Sequence, residues 1–104
     1  MTYYAIISTD NRLHIEPASK YYEVAKGNTV NALCNVTSAD KYTLSYKKVQ
    51  GNLPANAQVI GGSGTLVFLL SSAAGSGEYT CEATSSTGTH TASFYGKLII
   101  IYIY

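Results

Sequence analysis

The chain predicts an all-β fold, a Greek-key sandwich of two antiparallel sheets, and three observations carry that prediction. Apolar residues alternate with polar ones in short runs, broken by turn residues at intervals of roughly 8–14 residues. No apolar spacing of helical period is sustained anywhere. Two distant cysteines, Cys34 and Cys81, both fall on the inward side of such alternating runs.

Each strand is justified by its own pattern. Leu13-His14-Ile15-Glu16 alternates and stops at Pro17, and Tyr21 to Val24 resumes after that break. Ala25-Lys26-Gly27-Asn28 is a turn. Val30, Ala32, Cys34 and Val36 then share one face, with Thr29, Asn31 and Asn35 on the other. Tyr42, Leu44 and Tyr46 alternate with Thr43, Ser45 and Lys47. Gln50 to Pro54 turns the chain, and Gln58 to Ile60 is a weak strand. Gly61-Gly62-Ser63-Gly64 is a flexible turn, after which Leu66, Phe68 and Leu70 form an inward face with Val67 and Leu69 outside. Ser71 to Ser76 is a polar corner. Tyr79, Cys81 and Ala83 point inward on the next strand, Ser85 to Gly88 closes a hairpin, and residues 90–104 read as a long final strand. Residues 1–12 are expected to add an N-terminal strand or hairpin.

The 104 residues are sufficient for a single domain with one core, expected to span residues 1–104. A net charge of +1 supplies no field to draw the chain to nucleic acid or an anionic membrane. Charged residues make up 12%, about half the usual share, and ten tyrosines stand beside no tryptophan. No apolar run is long enough for a membrane-crossing helix. Residues 2–8 lack the length and basic flank of a secretory leader, so Met1 reads as the start of an expressed or mature domain. A Cys34–Cys81 bridge would span a core about 10 Å thick and contribute about 4 kcal/mol. It would also assign the chain to an oxidising compartment; two buried thiols are the reading for a reducing one.

The residues Gly77-x-Tyr79-x-Cys81-x-Ala83, with Gly88 and Leu66-x-Phe68, resemble the I-set immunoglobulin domains. Tyr42-Thr43-Leu44-Ser45-Tyr46 and Leu53-Pro54 are similar to the immunoglobulin repeats of basement-membrane proteoglycans. The resemblance covers residues 13 to about 100. It implies the sandwich, an extracellular location, binding to matrix proteins through sheet faces, and no active site. It also implies that the Tyr79 hydroxyl bonds the backbone at the preceding corner. Two positions depart from the family. Tyr46 stands where the family has tryptophan, and its buried hydroxyl needs a partner. Gly75 stands where the family has an aspartate paired to an arginine, and no arginine lies between Asp40 and Cys81. These departures, with the apolar run from Leu98 to Tyr104, read as an engineered sequence on a natural backbone, for which no location or native ligand is implied.

Catalysis finds no support. His14 and His90 stand alone, the carboxylates are scattered, and no metal or other cofactor is implied. Glu78 and Glu82 lie some 13 Å apart along one strand, too far for paired acid and base work. Lys47-Lys48 reads as a solvated basic pair. Contact candidates are the tyrosine- and isoleucine-rich ends: Tyr3, Tyr4 and Ile6, and Ile99, Ile101, Tyr102, Ile103 and Tyr104. Strand-to-strand pairing with a second copy is one expectation for them, and intramolecular pairing of the two ends is the other. Asn35-Val36-Thr37 is an acceptor sequence for N-glycosylation.

Overall fold

Nine strands form from the alternating segments, and the computed structural model describes residues 13–99 of the chain. They are β1 (His14–Pro17), β2 (Tyr21–Ala25), β3 (Thr29–Ala32), β4 (Cys34–Thr37), β5 (Tyr42–Lys48), β6 (Gln58–Val59), β7 (Leu66–Leu69), β8 (Gly77–Ser85) and β9 (Gly88–Ile99). One short 3-10 turn, Ala73–Gly75, fills the corner before β8. The proposed strand at residues 1–12 and the end of the final strand beyond Ile99 lie outside the described residues.

Two layers result. One is the four-stranded sheet β2-β9-β8-β5. The other consists of the ladders β1-β4 and β3-β7-β6, joined because only Leu33 separates β3 from β4. Residues 29–36, expected as one strand, are thus interrupted at Leu33. Its carbonyl accepts a bond from the Ala18 amide at 2.8 Å, where the N-terminal chain crosses between layers. β1 pairs antiparallel with β4, and after this crossing β2 pairs parallel with β9, from Tyr21 opposite Tyr95 to Ala25 opposite Ile99. All other ladders are antiparallel.

Inward alternation builds the core. Val30, Ala32, Cys34, Tyr46, Leu66, Phe68, Leu70, Tyr79, Cys81 and Ala83 are all buried, as their patterns predict. Leu13, Ile15 and Phe94 complete the buried set. The rings of Phe68, Tyr79 and Phe94 stack through the sandwich, with centroids 5.1 Å and 5.5 Å apart, and Tyr22 and Tyr46 meet Phe94 edge-on. Phe68 comes from one layer and Tyr79 and Phe94 from the other, so the stack ties the sheets together. Tyr42 departs from its pattern. It continues the inward alternation of β5, yet is exposed because β5 runs past the end of the core.

The edges at β6, β1 and β5 are protected. β6 has only two residues, and the Asn56 side chain takes the place of a longer neighbour. Its Oδ1 accepts from the Leu69 amide at 2.7 Å while its Nδ2 donates to the Leu69 carbonyl at 3.5 Å. β1 carries Pro17, and β5 ends in Lys47 and Lys48.

Candidate interaction surface

The cysteine pair is the covalent centre of the molecule. Cys34 and Cys81 form a disulfide with their Cα atoms 6.5 Å apart, joining β4 to β8 across the two layers. No other cysteine is present.

Both departures from the family pattern find a partner in the packing. The Tyr46 hydroxyl donates to the Gly64 carbonyl at 2.5 Å and accepts from the Cys34 amide at 3.4 Å. That geometry needs Gly64 itself, whose φ of +77° brings its α-carbon against Leu44; a Cβ there would lie 3.1 Å from Leu44 Cδ2. At the opposite corner the Tyr79 hydroxyl donates to the Gly75 carbonyl, the bond its sequence context implies. Gly75 is small because Leu70 occupies the adjoining space. A Cβ on Gly75 would lie 2.6 Å from Leu70 Cδ1, so a leucine fills volume where the family places an acid. Burial raises the pKa of both phenols. Tyr79 is pushed up to about 12 by desolvation. Tyr46 is raised chiefly by desolvation, opposed by its bond from the Cys34 amide and assisted by Tyr22 and Tyr42.

The basic pair at the end of β5 splits between faces. Lys47 points to solvent. Lys48 curls back, with Nζ donating to the Gln50 carbonyl at 3.0 Å and lying 6.0 Å from the Tyr79 ring centre. His14 is exposed, 3.5 Å from Glu16, and His90 is exposed on β9. Among the described residues no cluster of three or more metal-ligating side chains occurs, and no helix is long and apolar enough to cross a membrane.

Of the end residues expected to make contacts, Tyr3, Tyr4, Ile6, Ile101, Tyr102, Ile103 and Tyr104 lie outside the described residues. Ile99 is half-buried and pairs with Ala25 of β2. Only at Tyr95 and Gly96 does the described part of the final strand have ladder partners on both sides. β8 flanks it as far as Gly96, and β2 flanks it as far as Ile99. Within the described residues, the strand beside its end is Tyr21–Ala25.

A different aromatic surface emerges on the outer face of the four-stranded sheet. Tyr21 and Tyr95 stand side by side across the parallel β2-β9 pair, ring centres 5.8 Å apart and nearly parallel. They are 48% and 43% exposed, which leaves both rings available for contact. The Tyr21 hydroxyl donates to Glu23 Oε2 at 3.3 Å; Glu23 lies opposite Lys97, and Glu78 lies opposite Tyr95. Thr80, Ser93 and Lys47 extend the face toward β5. Sequence alone missed this pair, since Tyr21-Tyr22 and Phe94-Tyr95 are adjacent aromatics of which either member fits the inward slot.

No protein-family profile matches the chain. It is 38% identical over 81 residues to the basement membrane-specific heparan sulfate proteoglycan core protein (perlecan) of Mus musculus. The match takes in 78% of this chain and 2% of that protein. Among solved structures, Drosophila OTK extracellular domains 3–5 superpose with a TM-score of 0.70 at 25% identity, over 86% of this chain and 30% of that one. The chain is an immunoglobulin-like domain. The ectodomain (Ig1–Ig3) of mouse nectin-like molecule 4 gives a TM-score of 0.73 at 22% identity, over 88% of this chain and 32% of that one. This immunoglobulin-like domain thus spans a small part of the proteoglycan and about a third of each of the two ectodomain structures. The matched proteoglycan is named for the basement membrane, and the two structures named above are ectodomains.

Proposed function

We propose that this immunoglobulin-like domain is a noncatalytic, extracellular protein-recognition module that meets its partner on the outer face of the four-stranded sheet. The observation that supports the reading is the stacked, half-exposed pair Tyr21 and Tyr95, set among Glu23, Lys97 and Glu78. Tyrosine gives a large amphipathic contact area at low entropic cost, and the surrounding charges supply orientation. The test is binding of the immobilised full chain to a panel of purified basement-membrane glycoproteins. Wild type is expected to bind at least one member. The double variant Tyr21→Ser, Tyr95→Ser is expected to weaken that binding by about tenfold or more, with an unchanged circular dichroism spectrum. A wild-type chain that binds no member counts against recognition.

A second reading takes the chain as a scaffold engineered on a natural immunoglobulin backbone, without a native ligand. The matched replacements support it: Tyr46 with Gly64, and Leu70 with Gly75, stand in place of the family's tryptophan and its acid–arginine pair. This reading expects a stable sandwich with no partner in the panel. Self-pairing through the chain ends remains a separate proposal. Sedimentation that depends on concentration would support it, and a monomer at high micromolar concentration would remove it.

A further inference from the structure

The β1-β4 and β3-β7-β6 layer carries a feature that the recognition surface does not use. Asn35 and Thr37 are both exposed on the outward face of β4. They belong to Asn35-Val36-Thr37, the only N-glycosylation acceptor sequence in the 104 residues. On one side Asn35 faces Glu16 of β1. On the other lies the Gly61–Gly64 turn, where Gly61 and Gly62 present no side chain and nothing stands within 4 Å of where their Cβ atoms would be. Asn35 is itself exposed, so its side chain is open to solvent.

Asn35 also stands at the rim of a cleft of about 480 Å³ between the layers. Its walls mix polar groups with several apolar side chains. Tyr42, Val59 and Ile60 are 45%, 49% and 44% exposed, and Val36 and Leu44 are half-buried beside them. These side chains offer apolar surface that the C–H face of a sugar can cover. The residue next to Asn35 is Cys34, whose disulfide belongs to the compartment where N-glycans are added.

We propose that Asn35 is an N-glycosylation site and that its proximal sugars cover the apolar cleft lined by Tyr42, Leu44, Val59 and Ile60. In the transfer, Asn35 Nδ2 forms a bond to the anomeric carbon of an oligosaccharide carried on a lipid diphosphate. The bond from that carbon to the diphosphate oxygen breaks, the lipid diphosphate leaves with the electron pair, and the amide proton passes to a base of the host transferase. The first sugar then lies over the glycine turn, with its C–H face against Tyr42 and Ile60, where burial of apolar surface holds it. The glycan lies on the layer opposite Tyr21 and Tyr95, so it leaves the proposed recognition face free.

The experiment is secretion of the full chain from a eukaryotic host behind a cleavable leader, with intact-mass measurement before and after peptide N-glycosidase. The expected result is a mass excess that the enzyme removes, leaving Asp at position 35. Asn35→Gln and Thr37→Ala should each lose the excess, and Thr37→Ser should keep part of it. Secreted, disulfide-bonded chain with an unmodified Asn35 overturns the site. Covering is read separately, by fluorescence of a hydrophobic dye on the glycosylated chain and on the same chain after enzymatic removal. A severalfold rise after removal is expected, and equal fluorescence overturns the covering. Panel binding by Asn35→Gln should equal that of wild type, so failure of the recognition reading and failure of the glycan site are told apart.

Discussion

Tyr46 and Tyr79 are the two buried phenols among the described residues, and they are anchored in different ways. Tyr79 bonds to Gly75, four residues back, and closes a local corner. Tyr46 bonds to Gly64, 18 residues ahead in the other layer, while also accepting from Cys34, so it stitches sheet to sheet. Both hydroxyls meet a glycine carbonyl, but one bond shapes a turn and the other sets the spacing of the layers. A buried polar group is thus tolerated by two routes, a neighbour in sequence or a neighbour brought close only by folding.

The bridge beside Tyr46 gives the largest way to break the contrast. Reduction, or Cys34→Ala with Cys81→Ala, should lower stability by about 4 kcal/mol in urea denaturation, since a loop spanning 47 positions is released. The Tyr79 corner is probed next by Gly75→Asp. The new Cβ would lie 2.6 Å from Leu70 Cδ1, so a loss of about 1–3 kcal/mol is expected. Leu70→Ala should make the same substitution less costly, and a double-mutant cycle would measure that coupling. Were the two changes additive, Leu70 would not be the reason for the glycine.

Hydroxyl removal compares the two phenols directly. Tyr46→Phe abandons two backbone partners and should cost about 2 kcal/mol, whereas Tyr79→Phe abandons one and should cost about 1 kcal/mol. Alkaline pH acts on both together. Each phenol holds its proton more tightly when folded than at the unfolded value of 10.0. Their contribution is therefore complete below pH 10 and is lost at higher pH, for Tyr79 as the pH rises toward about 12. Denaturation midpoints across that window should fall, and fall less in Tyr79→Phe than in wild type. Smallest is the effect of Tyr21→Ala on folding. Its ring is on the surface, so stability should change by about 0.5 kcal/mol or less while binding suffers.

Much of the architecture was legible before the structure. The inward series Val30, Ala32, Cys34 and Leu66, Phe68, Leu70 and Tyr79, Cys81, Ala83 follow from the two-residue period of a half-buried strand, and all nine are buried. The corner role of Tyr79 followed from its distance to Cys81. Less was legible where alternation is ambiguous. In β9, Phe94 and Tyr95 are adjacent aromatics, and only pairing with Tyr79 and Glu78 decides that Phe94 enters the core while Tyr95 faces water. The same choice between Tyr21 and Tyr22 is settled by the parallel ladder with β9. The proposed recognition surface consists of the two rings left outside by those choices.

By itself, then, the order of residues determined the strands, the facing cysteines and most of the core, because burial on one side of a strand writes a local two-residue rhythm. Only the tertiary structure decided that the N-terminal segment crosses at Ala18 to lie parallel to β9, that Gly64 and Gly75 receive the two phenols, and that Tyr21 meets Tyr95. Those outcomes depend on register between segments far apart in the chain, and no local rhythm encodes it.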